Sequence, residues 1–158
     1  MKYNPSEASK ILVLGIGNIL LGDEGVGVKV IKLLEEINLP KNIELLDGGT
    51  GGFHLLSYLQ DHDRIIMIDA TLDGQDTGTI NIIKPRFSNE FPRTLSSHDI
   101  GLKDLVESAS LLGKLPEILL FTVSVNPEQS LTMELSDKID KAAKEVCNQI
   151  VDLLHLRK

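Results

Sequence analysis

Residues 11–27 read ILVLGIGNILLGDEGVG. The unbroken apolar run from Ile11 to Ile16 is the pattern of a strand buried on both faces. Gly15 and Gly17 then open a turn, and from Val26 the apolar period changes to that of a helix. Val26, Val30, Leu33, Leu34 and Ile37 share one stripe, with Lys29, Lys32, Glu35 and Glu36 elsewhere. A strand, a Gly-rich turn and a helix make the opening unit of a nucleotide-binding fold. Yet Asp23 and Glu24 stand at the mouth of the turn, where a phosphate would meet two negative charges.

The same strand–helix alternation continues outward from this unit. Pro40 closes the first helix, Ile43–Leu46 form a second strand ending in DGGT (47–50), and Gly51–Gln60 read as a second helix. Arg64–Asp69 is a third buried strand, the Gly- and Asp-rich turn 72–78 leads to a short strand over Thr79–Ile83, and 84–97 reads as an irregular loop. A helix over Ile100–Leu112 stops at Gly113 and Pro116, Ile118–Val125 is the last strand, and a final helix runs from about Thr132 to Leu156. This order predicts a three-layer α/β/α sandwich around a five-stranded, mostly parallel sheet. The short connection between the third and fourth strands reads as a hairpin, so one strand should be antiparallel.

The chain of 158 residues fits one domain over 1–158, with the polar residues 1–9 as a flexible tail. Its 42% hydrophobic and 25% charged residues are those of an ordinary soluble protein. Sixteen basic residues against 23 acidic ones give a net charge of −7, which argues against nucleic acid or an anionic membrane as partner. The only cysteine, Cys147, falls on the core stripe of the last helix, so neither a disulfide framework nor a thiolate cluster is available. The early apolar run is broken by Asn18, preceded by Glu7 and followed by no small-residue cleavage site, unlike a signal peptide. No apolar stretch is long enough to span a bilayer. The expectation is a cytoplasmic protein.

The glycine turn fits no phosphate loop. A dinucleotide fingerprint needs a third glycine where this chain has Leu20, and no Lys-Ser/Thr pair follows for a Walker-type loop. Two readings of Asp23 and Glu24 stay open at this point. One acid caps the helix and the other is solvated, or the pair faces a cation. The other strands bear on the choice, because ligands in open α/β sheets bind at the carboxyl edge. The second strand ends in Asp47 and the third in Asp69. Each alone is an ordinary turn residue; converging on one edge, they are harder to dismiss.

His98, in SSHDIGL (96–102), sits in a polar loop just before a helix, whereas His54, His62 and His155 have blander settings. Glu24, Asp69 and His98 together would supply two oxygen donors and one nitrogen, a set suited to zinc, nickel or manganese. No GxSxG elbow is present, and the neighbours in SSHD cannot form a triad with one another.

GIGNILLGDEGVG (15–27), DGGT (47–50), MIDA (67–70) and SHDIGL (97–102) together resemble the maturation endopeptidases of nickel–iron hydrogenases. The likeness runs from Ile11 into the final helix; the N-terminal tail and residues 84–95 are its least typical parts. The resemblance implies a phosphorylase/hydrolase-like α/β/α fold and an endopeptidase that removes the C-terminal extension of a hydrogenase large-subunit precursor after nickel insertion. It implies that Glu24, Asp69 and His98 bind the metal and that Asp47 has a role in function, with general base as the expected catalytic part. Nickel would be recognised in the substrate, with zinc or cadmium as its stand-in in crystals. The partner expected is the precursor, with no nucleic acid and no membrane, and the protein itself is expected to be a monomer. Two alternatives remain: a non-proteolytic nickel-checkpoint module with the same site, and a nucleotide-binding α/β protein.

Overall fold

The computed structural model describes residues 9–50, 52–85, 90, 102–113 and 115–154. The tail 1–8, most of the loop 84–97, His98 and His155 lie outside the described residues. Five strands, β1 (Ile11–Gly15), β2 (Ile43–Asp47), β3 (Arg64–Thr71), β4 (Ile80–Ile83) and β5 (Glu117–Ser124), form one sheet in the order β2-β1-β3-β5-β4. All neighbours are parallel except β4, which runs antiparallel to β5. The described helices are α1 (Val26–Glu35), α2 (Leu56–Asp61), α3 (Leu102–Leu111) and α4 (Asp137–Leu153).

Side-chain alternation along the central strands divides the core in two. Ile11 and Val13, Ile66 and Ile68, and Leu119 and Phe121 face α1 and α4. Leu12 and Leu14, Ile65 and Met67, and Ile118 and Leu120 face α2 and α3. This is the three-layer sandwich expected from the sequence. Cys147 is buried in the α1–α4 layer, as its stripe predicted. Because α1 and α2 lie on opposite faces, the connections from β1 and from β2 diverge on either side of β1. The switch point therefore falls between the carboxyl ends of β1 and β3.

The hairpin reading is corrected. Although β4 is antiparallel, its partner is β5, which inserts between β3 and β4. The burial of each strand explains the order. From Ile65 to Thr71 and from Ile118 to Ser124 every residue is buried, so β3 and β5 need neighbours on both edges. The half-exposed β4 suits the sheet border, where unpaired backbone is tolerated. Two helices also start later than their apolar spacing suggests. A 3-10 turn over Phe53–Leu55 precedes α2. The stretch before α4 is extended because Thr132 accepts a backbone bond from Gly22 at 2.8 Å and donates one to Leu20 at 3.0 Å.

The glycines of the opening stretch serve backbone packing. A Cβ on Gly27 would stand 2.5 Å from the carbonyl oxygens of both Ile16 and Ile68, and one on Gly15 would stand 2.3 Å from the Gly27 carbonyl oxygen. The first turn of α1 thus rests directly on the ends of β1 and β3. Gly17 has φ +151°, and a Cβ there would meet the Glu24 carbonyl oxygen at 1.9 Å. Asn18 makes the turn that follows: its side chain accepts the Leu20 N–H at 2.9 Å and its carbonyl accepts the Leu21 N–H at 3.1 Å. Alanine is the better helix former by about 1 kcal/mol. Gly27→Ala should nevertheless destabilise the protein by about 2–3 kcal/mol, because the methyl meets two backbone carbonyls that cannot rotate away. Urea unfolding measures this, and a neutral or stabilising result would contradict the contact.

Candidate active site

Three loops meet at the carboxyl edge around the switch point. The Ile16 N–H donates to the Ile68 carbonyl at 3.0 Å, tying the end of β1 to β3. On its other side Gly48 donates to the Gly15 carbonyl at 2.8 Å and Gly17 to the Gly49 carbonyl at 2.7 Å. These bonds hold the 15–18 turn between the ends of β2 and β3. A 3-10 turn over Gly22–Gly25, carrying Asp23 and Glu24, continues it into α1.

Asp69 closes the apolar run of β3 and is only 3% exposed. Its Oδ1 accepts the Ala70 N–H at 2.8 Å, while its buried Oδ2 has no hydrogen-bond partner among the described residues. Burial pushes the Asp69 carboxyl well above the usual carboxylate range. The Ala70 bond partly offsets the shift, and the negative charge of nearby Glu24 adds to it. Glu24 is half-buried and its own carboxyl is also raised by desolvation. Two carboxylates held this close, one of them sealed from water with an unanswered oxygen, are costly unless a proton or a cation intervenes. That orphaned oxygen fits a metal ligand. Glu24 and Asp69 are therefore brought together as the sequence suggested, while His98 lies outside the described residues. Among the described residues no group of three metal-ligating side chains forms. Asp47 ends β2 in register with Gly15, is exposed, and accepts the Gly49 N–H at 2.9 Å through Oδ1.

Asp23 and Glu24 differ in setting, and neither caps α1, whose N-cap is Gly25. Asp23 is buried, with Oδ1 accepting the Ser136 N–H at 2.7 Å and Oδ2 accepting the Ser136 hydroxyl at 2.8 Å. Ser136 holds the N-cap position of α4, where its side chain makes no cap bond. The Asp23 N–H donates to Gln129 Oε1 at 2.9 Å, and Gln129 donates through Nε2 to the Asn126 carbonyl at 2.7 Å. Asp23 also borders a polar cleft of about 570 Å³ lined by Gln129, Thr132 and Ser136. Its partners lie more than a hundred positions away, so no local spacing could reveal this clamp. His62 was also undervalued by its sequence context. It is buried at the opposite, amino edge, 2.7 Å from the Tyr58 carbonyl through Nδ1 and 2.9 Å from Glu44 Oε2 through Nε2. Its place four residues after Tyr58 on a helix end is the one local signal of that contact.

The fold and the edge define an open, doubly wound α/β protein with a carboxylate-rich edge at its switch point. The sequence model of the hydrogenase maturation protease family matches residues 28–153. The hydrogenase 2 maturation protease of Escherichia coli is 35% identical over 144 residues, covering 87% of this chain and 88% of that protein. The hydrogenase expression/formation protein HupD of Bradyrhizobium diazoefficiens is 38% identical over 120 residues, covering 73% of this chain and 62% of HupD. The aligned part thus spans about three fifths of HupD. Among solved structures, the hydrogenase maturating endopeptidase HybD from E. coli superposes with a TM-score of 0.82 at 31% identity, covering 90% of each chain. The chain belongs to the hydrogenase maturation protease family.

Two outcomes separate the neighbouring acids of the site. Asp23→Ala orphans the Ser136 N–H and hydroxyl and should cost about 2 kcal/mol in urea unfolding, whereas Glu24→Ala should leave the unfolding midpoint unchanged or slightly higher. Asp69 gives a pH signature. Its folded-state carboxyl binds a proton more tightly than the unfolded one, so its contribution to stability is full below the ordinary carboxylate range. That contribution is lost as pH rises from that range through the raised folded value, and is level above it. In chelator-treated protein Asp69→Asn should remove this decline and raise the urea midpoint at neutral pH. An Asp69→Asn protein that is less stable than wild type at pH 7 would contradict a strained, unpaired carboxylate.

Proposed function

We propose that this protein is an endopeptidase that removes the C-terminal extension of a nickel–iron hydrogenase large-subunit precursor, and that it recognises the nickel already held by that precursor. The observation that carries this reading is the buried Asp69 Oδ2, without a hydrogen-bond donor among the described residues and beside Glu24. Family membership supports the peptidase class and the client. Glu24 and Asp69 supply the oxygen donors and His98 the nitrogen; His98 stands four residues ahead of α3, which packs on the sheet face shared by Asp69. A site with two carboxylates, one imidazole and no thiolate holds nickel only modestly by itself. The ion therefore belongs to the substrate: the precursor's ligands hold it from one side and this protein's from the other. Asp47, exposed at the same edge, is assigned the role of general base for the attacking water.

The assay is mass spectrometry of the large-subunit precursor after incubation with this protein. Nickel-loaded precursor should lose its tail, and apo precursor should not after thorough chelation. Glu24→Gln and His98→Ala should each slow processing more than about a hundredfold, with the urea midpoint kept within experimental error. Asp47→Asn should lower kcat and leave nickel-dependent binding in place. A loaded precursor that binds but keeps its tail would make the protein a nickel checkpoint instead. Equal cleavage of apo and loaded precursor would remove nickel from the recognition step.

A further inference from the structure

Leu21 and Thr132 form an isolated parallel bridge, which joins 20–22 and 131–133 as a two-stranded ribbon beside the carboxylates. Leu20 adjoins that bridge on one chain segment, and Leu131 and Met133 flank it on the other. All three are strongly exposed, at 53%, 82% and 66%. Met133 also lines a shallow groove with Ile19, Val28 and Leu135, whose far rim is formed by Lys29 and Lys32 of α1. These lysines, three residues apart and on one helix surface, form no ion pair among the described residues. The result is an apolar strip with a basic rim on a chain of net charge −7.

We propose that this strip docks an extended apolar segment, flanked by acidic side chains, of the hydrogenase large-subunit precursor. This inference rests on the function proposed above and adds the surface that holds the substrate. Two observations choose the occupant. The ribbon is continuous with the site, since Gly22 lies two residues from Glu24, so a precursor gripped at its metal must lie across the adjoining surface. The rim carries positive charge, which is complementary to an acidic peptide, whereas a two-fold contact would gather both copies' Lys29 and Lys32 into one interface. Three side chains are also far short of the roughly 800 Å² per partner of a stable interface, which fits a substrate that must leave after cleavage.

The test compares wild type with Leu131→Ser/Met133→Ser, with Lys29→Glu/Lys32→Glu, and with the control Leu111→Ser/Leu112→Ser. The control residues are strongly exposed apolar side chains at the far end of α3, toward the amino edge. Two readouts are taken on nickel-loaded precursor: KM and kcat for tail removal, and Kd from biolayer interferometry, which needs no cleavage. Both groove variants should raise KM and Kd about tenfold or more with kcat within twofold, and the control should change neither. Nickel binding by the isolated variants, read by calorimetry, should match wild type. Unchanged Kd in both groove variants overturns the docking surface, even if wild type cleaves normally. If wild type binds precursor without cleaving it, the peptidase reading fails while the Kd series still decides the strip. If the serine variant does not fold, the lysine variant on the solvent-facing rim decides in its place. A wild-type dimer in sedimentation that becomes monomeric in the serine variant with Kd unchanged would assign the strip to self-association and overturn the proposal.

Discussion

The site depends on how closely α1 approaches the sheet. Its first turn sits on the carbonyl oxygens of Ile16 and Ile68, a contact possible only because residue 27 has no side chain. Through it the amino end of α1 is fixed against the carboxyl ends of β1 and β3 at the switch point. The preceding 3-10 turn then has little freedom, and Glu24 comes near enough to Asp69 for one charge to act on the other. Gly15 and Gly17 continue the constraint, one against Gly27 and one against the Glu24 carbonyl. The same backbone logic underlies a dinucleotide loop, where glycine likewise lets a helix pack close to a strand. Here the close approach presents acids instead of amide donors, the reverse of what a phosphate requires.

The two acids of the DEG turn have opposite surroundings, Asp23 fully hydrogen-bonded and Glu24 facing another carboxylate. Asp23 commits both oxygens to Ser136 and its own N–H to Gln129, and so locks the turn to the segment that leads into α4. Glu24 then meets Asp69 from a turn that is braced on both sides. Without that brace, two carboxylates in mutual repulsion would separate, since each gains by moving toward water. An adjacent acid is thus what keeps Glu24 in an unfavourable position. Burial and like charge together raise the Asp69 carboxyl well above the usual carboxylate range.

How much of this the sequence disclosed varies with the range of the forces involved. The strands and the two-faced core were legible, because burial on both sides leaves uninterrupted apolar runs such as Arg64–Asp69. That Asp69 and Glu24 stand at the carboxyl edge was legible because each follows an apolar run at the edge where α/β sheets bind ligands. The position of β4 was not, since antiparallel direction can be read from a short connection but the choice of partner depends on the burial demands of β5. The late start of α4 was hidden for a similar reason. Leu135 keeps the helical spacing, yet Thr132 is drawn into a ribbon with Leu20 and Gly22, and Ser136 ends the extended stretch. The Asp23 clamp spans more than a hundred residues and leaves no periodic trace.

The ribbon solves two physical problems with one pair of backbone bonds. The 126–136 segment must cross from the end of β5 to the start of α4 without a helix or sheet to satisfy its polar groups. Pairing Thr132 with Leu20 and Gly22 satisfies part of that need and stiffens the acidic turn at the same time. The residues next to the bridge that turn to solvent are apolar: Leu20, Leu131 and Met133. A polar choice at these positions would serve the backbone bonds equally well, because those bonds do not involve the side chains. Those bonds therefore do not account for the three exposed apolar side chains, which stand beside the acidic turn that carries Glu24.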